Sequence, residues 1–187
     1  MHQRFCRQTR RFAADAPRRI TVFSSPGDRR RGLLVYGNLR LPCALGRTGV
    51  TRLKREGDGA TPAGCHRLLA LHVRRDRVRM VATALPVRTI RIEDGWSDDP
   101  DSGRYNRAIR LPAAESHETL HREDALYDLV GILDWNLSER RSGRGSAIFL
   151  HAARPDLAPT QGCIALRPTD LRRLLAAIRG PVAIVIA

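Results

Sequence analysis

Short runs of alternating apolar and polar residues recur along this chain, each closed by glycine, proline or serine. Period-two alternation predicts strands that bury one face. Ile20–Phe23 is the first such run, and Ser24-Ser25-Pro26-Gly27 turns the chain. Gly32–Tyr36 follows, with Gly37-Asn38 as the turn into Leu39–Leu45. Pro42 removes a backbone donor there and points to an edge strand or a bulge. Cys65–Val73, Arg77–Thr83 and Val87–Ile92 alternate again. Leu126–Leu133 and Ala147–His151 have the character of buried strands. Only Thr169–Arg179 carries a clear helical period: Leu171, Leu174, Leu175 and Ile178 share a face, and Thr169 is a plausible N-cap. Gly180-Pro181 ends that helix, and Val182–Ile186 reads as a last strand.

Two segments break this rhythm. Arg47 to Gly64 is a loop rich in glycine and charge, and residues 93–125 form a long polar insertion containing EDGWSDDPDSGRYNR. Loops of that length are often functional lids. The expected fold is mostly β: residues 20–187 as one domain with a single C-terminal helix and the long insertion. A chain of 187 residues is long enough to bury a core without staples.

Charge is unevenly spread. The net charge is +14, and residues 1–55 hold fourteen basic side chains against Asp15 and Asp28. Lys54 is the one lysine. Arginine-rich surfaces suit phosphates and carboxylates. Residues 1–19 are expected to be a flexible basic tail; they lack the apolar core of a signal peptide. No run of eighteen apolar residues predicts a transmembrane helix. A nucleic-acid-binding protein is a distant alternative, since no helix-turn-helix, zinc-finger or stacking-aromatic pattern accompanies the charge. Nucleic acid is therefore not expected as a partner.

The cysteines are Cys6, Cys43, Cys65 and Cys163, and no two stand in CxxC spacing. No metal and no organic cofactor is expected. His117 and His121 have i, i+4 spacing but lack the HExxH form, and a surface helix is the expected reading. Asp98, Asp99 and Asp101 suggest a calcium loop that Pro100 and a missing downstream glutamate spoil. His66 and His72 are expected on a strand's surface, and Trp135 in packing.

The strongest local feature is His151 followed by Thr160-Gln161-Gly162-Cys163. A cysteine attacks a carbonyl as the thiolate, and a nearby imidazole supplies it by taking the proton. Glycine before the nucleophile permits a tight turn that aims the amides of Gly162 and Cys163 at one oxyanion.

His151, Thr160, Gly162, Cys163 and Ile164 resemble the catalytic signature of the L,D-transpeptidase (YkuD-type) family: a strand-end histidine, then Ser/Thr-His-Gly-Cys and an apolar residue. Gly57-Asp58-Gly59-Ala60-Thr61-Pro62-Ala63-Gly64 is similar to the family's G-[DK]-x-x-T-P-x-G turn. The resemblance covers roughly residues 20–187. It implies a β-sandwich-like domain with the cysteine at the mouth of a cleft. It also implies peptidoglycan remodelling: Cys163 attacks a diamino-acid carbonyl in a tetrapeptide stem, D-alanine leaves, and an amine accepts the acyl group. A murein L,D-carboxypeptidase or endopeptidase shares that acyl-enzyme and is the alternative. Carbapenems often trap family members. The implied partners are peptidoglycan stem peptides and the implied place is the periplasm or cell envelope. Gln161 departs from the motif histidine, and the stretch 152–159 is short. Thr160, Gln161, Arg154, Arg167 and Trp96 are candidate substrate-binding residues, and Trp96, Tyr105 and Asn106 read equally as a lid that stacks on a substrate or as residues that pin the insertion to the sheet.

Overall fold

A computed structural model describes residues 19–187. The expected tail therefore lies outside the described residues, except Arg19, which opens the first strand. The strands are β1 (Arg19–Ser24), β2 (Arg31–Tyr36), β3 (Leu39–Ala44), β4 (Val50–Thr51), β5 (Thr61–Pro62), β6 (Gly64–Val73), β7 (Val87–Thr89), β8 (Asp94–Ser97), β9 (Arg107–Arg110), β10 (His117–Thr119), β11 (Leu129–Leu133), β12 (Phe149–Ala152), β13 (Ile164–Leu166) and β14 (Val182–Ile186). Nine of them form one sheet in the order β11-β12-β13-β3-β2-β1-β14-β6-β7, and an added β11–β6 pairing closes it into a barrel-like sheet. The domain is thus mostly β, as expected, with closure leaving few open edges.

β11 explains its continuous apolar run by being covered on both faces. Leu129 and Leu133 join the main core, whereas Val130 and Ile132 join a second cluster under the insertion. β12 is divided the same way, with Phe149 in the second cluster, whereas β13 turns Ala165 into a third, small one. The helix, Pro168–Ala177, buries Leu171, Leu174 and Leu175 against the main core. Proline at its first position replaces the expected Thr169 cap; the residue before it, Arg167, makes no side-chain capping bond.

Several expectations are corrected. β3 is flanked by β2 and β13, so Pro42 is not on an edge strand. It is tolerated because β13 pairs only with Cys43 and Ala44, leaving no ladder bond for Pro42 to lose on that side. Arg77–Thr83 is a turn and irregular chain: of Arg77, Val78 and Arg79 only Val78 is buried, so the alternation marks one anchor and not a pleat. His66 and His72 are buried, not surface-facing. His66 packs edge-on against Trp135, and burial pushes His72 down to about 4. His117 lies on β10 and not on a helix, with Nδ1 2.7 Å from the Glu115 carbonyl. Cys65 is disulfide-bonded, whereas Cys43 and Cys163 are free thiols.

The insertion is a folded unit. β10, β8 and β9 make a three-stranded antiparallel sheet. Trp96 and Leu120 from it pack with Tyr127, Val130, Ile132 and Phe149. A short 3-10 turn, Ala125–Tyr127, joins it to β11, and Asp124 caps that turn by accepting from the Leu126 amide at 3.3 Å.

Candidate active site

Strand register brings His151 and Cys163 together. β12 and β13 are parallel, with Leu150 opposite Ile164 and His151 opposite Ala165. Side chains alternate across a sheet. Leu150, Ala152, Ile164 and Leu166 therefore point into the main core. Phe149, His151, Cys163 and Ala165 point to the other face. Cys163 ends the loop just before β13, beside Phe149, whose amide donates to its Sγ at 3.3 Å.

The loop before Cys163 is tied by its own side chain. Thr160 Oγ1 donates to the Cys163 carbonyl at 2.7 Å and accepts the Gly162 amide at 3.1 Å. Thr160 also bonds back to Leu45 and Arg47 through its main chain, both at 2.9 Å. Gly162 has φ +136°, and a Cβ there would stand 2.7 Å from the Ala60 carbonyl oxygen. The two motifs singled out in the sequence thus touch, and the contact demands glycine. The Gly57–Gly64 turn is itself braced: Asp58 accepts the Arg55 and Ala60 amides at 2.8 Å and pairs with buried Lys54 at 2.6 Å.

Burial favours the neutral form of both Cys163 and His151. Burial pushes the Cys163 thiol up to about 12 and the His151 imidazole down to about 4. Cys163 Sγ donates to the Ala147 carbonyl at 3.2 Å. His151 Nδ1 lies 2.8 Å from the Ala152 carbonyl. A carbonyl only accepts, so Nδ1 carries the proton and Nε2 keeps the lone pair of a base. Tyr127 holds the ring edge-on, centroids 5.2 Å apart.

The insertion anchors this arrangement from behind. Ala147 has φ +50° and Asn106 φ +55°, both unusual for residues with a side chain. Buried Asn106 accepts from Trp96 Nε1 at 3.0 Å and from the Ala147 amide at 3.1 Å, and donates to the Trp135 carbonyl at 3.0 Å. It thereby fixes the residue whose carbonyl holds the Cys163 thiol. Trp96 is corrected from substrate binder to anchor: it is buried edge-on against Phe149 and lies outside the cleft lining. Tyr105 is likewise structural, donating to Glu56 Oε2 at 2.5 Å.

A cleft of about 410 Å³ opens over the pair, lined by both His151 and Cys163. Thr160, Gln161 and Arg154 line it; Arg167 does not, being exposed just before the helix. The expectation that the Gly162 amide aims at an oxyanion is also corrected, because that N–H is taken by Thr160 Oγ1. Sequence reasoning missed Glu118, Arg122, Tyr127 and Glu56 as cleft residues. For Glu56 a signal existed, since it directly precedes the Gly57 motif. For Glu118 and Arg122 none did, because a polar insertion shows no period that marks a lining side.

No curated protein matches the chain. Among solved structures, the crystal structure of Mycobacterium tuberculosis L,D-transpeptidase 1 is similar at 12% identity and a TM-score of 0.37, over 89% of this chain and 60% of that one. This chain therefore spans less than two thirds of that protein. A family model described as the L,D-transpeptidase catalytic domain, YkuD, matches residues 16–185. The chain belongs to the YkuD family of L,D-transpeptidase catalytic domains.

Proposed function

We propose that this domain is a cysteine L,D-transpeptidase acting on peptidoglycan stem peptides in the cell envelope. The observation that carries it is the β12–β13 register, which puts the His151 and Cys163 side chains on one face beneath one cleft. Because both groups are neutral at rest, the thiol transfers its proton as it attacks rather than beforehand. Cys163 Sγ swings from the Ala147 carbonyl and bonds to the carbonyl carbon of the stem's diamino acid. His151 Nε2 takes the thiol proton and returns it to the departing amine of D-alanine, so the C–N bond breaks as the thioester forms. The Cys163 amide faces the developing oxyanion. Arg154, at the cleft rim, meets a substrate carboxylate. A neutral acceptor amine then attacks the thioester; His151 moves one amine proton to the departing Sγ.

The acyl-enzyme also admits water, which would make the enzyme a carboxypeptidase. Purified tetrapeptide muropeptides decide the matter. The expected products are free D-alanine and cross-linked dimers. Monomeric tripeptides with D-alanine would assign the hydrolytic reaction, and no release of D-alanine at all would overturn the proposal.

A further inference from the structure

The cleft wall supplied by the insertion differs from the rest of this strongly basic protein. Glu118 on β10 faces the cleft with a third of its side chain exposed. It accepts from Tyr127 Oη at 3.3 Å. The cation beside it, Arg122, stands 3.9 Å away. That guanidinium is already held by Asp124 through two bonds, of 2.9 and 2.7 Å. Asp98 lines the same wall, and its Oδ1 is shielded from solvent with no hydrogen-bond partner in the described residues. Glu118 thus shares Arg122 with Asp124. In a chain of net charge +14, the cleft lining carries three carboxylates, Glu56, Asp98 and Glu118, against two guanidiniums, Arg122 and Arg154.

We propose that Glu118 docks the acceptor of the reaction in its ammonium form and makes the cleft selective for acceptors with a free primary amine. This rests on the acyl-transfer function proposed above. A thioester in an open cleft is exposed to water, so transfer to an amine requires that the amine be held nearby. A half-buried carboxylate with an incomplete partner set does this for a cation. Partial burial also raises the Glu118 carboxyl above its usual range, against Arg122, so an incoming cation regains what burial withholds. The docked ammonium gives one proton to water. The neutral amine then forms the C–N bond while the C–S bond breaks, and its second departing proton passes through His151 to Sγ.

The test separates docking from turnover. Full-length Cys163→Ala protein is titrated with Nα-acetyl-lysinamide, which has a free ammonium, and with its Nε-acetylated form, followed by NMR. The free-amine probe is expected to bind about ten-fold tighter, the scale of one partly buried charge pair. Glu118→Gln should erase the preference, since glutamine still accepts from Tyr127 Oη and keeps the fold. Glu118→Asp should retain part of it, and Glu123→Gln, at an exposed ion pair with Arg77, all of it. Equal binding of the two probes, or a preference that survives Glu118→Gln, would overturn the proposal. Carbapenem acylation of the unmutated protein is measured alongside. Its failure would count against the acyl-transfer function alone, because the titration needs no active thiol.

Discussion

The two faces of β12 and β13 do opposite work. One face buries Leu150, Ala152, Ile164 and Leu166 with the helix, and nothing polar interrupts it. The other carries Phe149, His151, Cys163 and Ala165, and is only partly roofed by the insertion and the 3-10 turn. The first face supplies rigidity: close packing in low-energy rotamers leaves the backbone little freedom. The second uses that rigidity to hold two neutral, buried titratable groups beside an open cleft. Stability and chemistry are one residue apart in sequence and on opposite sides of the sheet.

The largest effect that separates the faces is in the core. Leu150 is fully buried, and Leu150→Ala should cost about 2–5 kcal/mol by transfer and cavity formation. Cys163→Ala on the opposite face should cost only about 1 kcal/mol. Urea unfolding of both compares them directly; equal losses would mean the faces are not distinct.

Gly162→Ala comes next and blurs the division. Its added Cβ would meet the Ala60 carbonyl and would sit at positive φ. A strained residue of this kind costs about 1–3 kcal/mol. The motif loop must then move, so carbapenem acylation should fall along with stability. A variant with unchanged acylation rate would show that the contact between the two motifs does not set the position of Cys163.

The smallest effect touches chemistry alone. Burial raises the Cys163 thiol to about 12, so little thiolate exists at neutral pH. Alkylation by iodoacetamide should therefore climb with pH through 9 and beyond, with no plateau between pH 6 and 8. The buried imidazole, pushed down to about 4, stays neutral throughout that window and contributes no step. A plateau near neutrality would reveal a preformed thiolate–imidazolium pair instead.

Much of this was legible beforehand, for physical reasons. Alternation marks a strand with one buried face, so β1, β2, β3 and β6 were visible as short runs. The motif around Cys163 was visible because a tight turn needs Gly162 and a nucleophile needs its base. Register was not visible: nothing in His151 or Ala165 says that β12 and β13 run parallel and adjacent. Trp96, Tyr105 and Asn106 were found together but their task stayed open, because a polar insertion with aromatics looks alike whether it stacks on substrate or pins itself down. His66 and His72 were misplaced because histidine has no strong burial preference. Glu118 carried no pattern at all; only the folded insertion brings it beside Cys163.

We propose that Cys163 is the nucleophile at the base of this cleft. Intact-protein mass after incubation with a carbapenem tests it most directly, for the unmutated chain and for Cys163→Ser. The expected result is a gain of one drug molecule in the former and none in the latter. An adduct of equal yield on both would contradict the claim, and so would the absence of any adduct on an unmutated protein that still releases D-alanine from tetrapeptide stems.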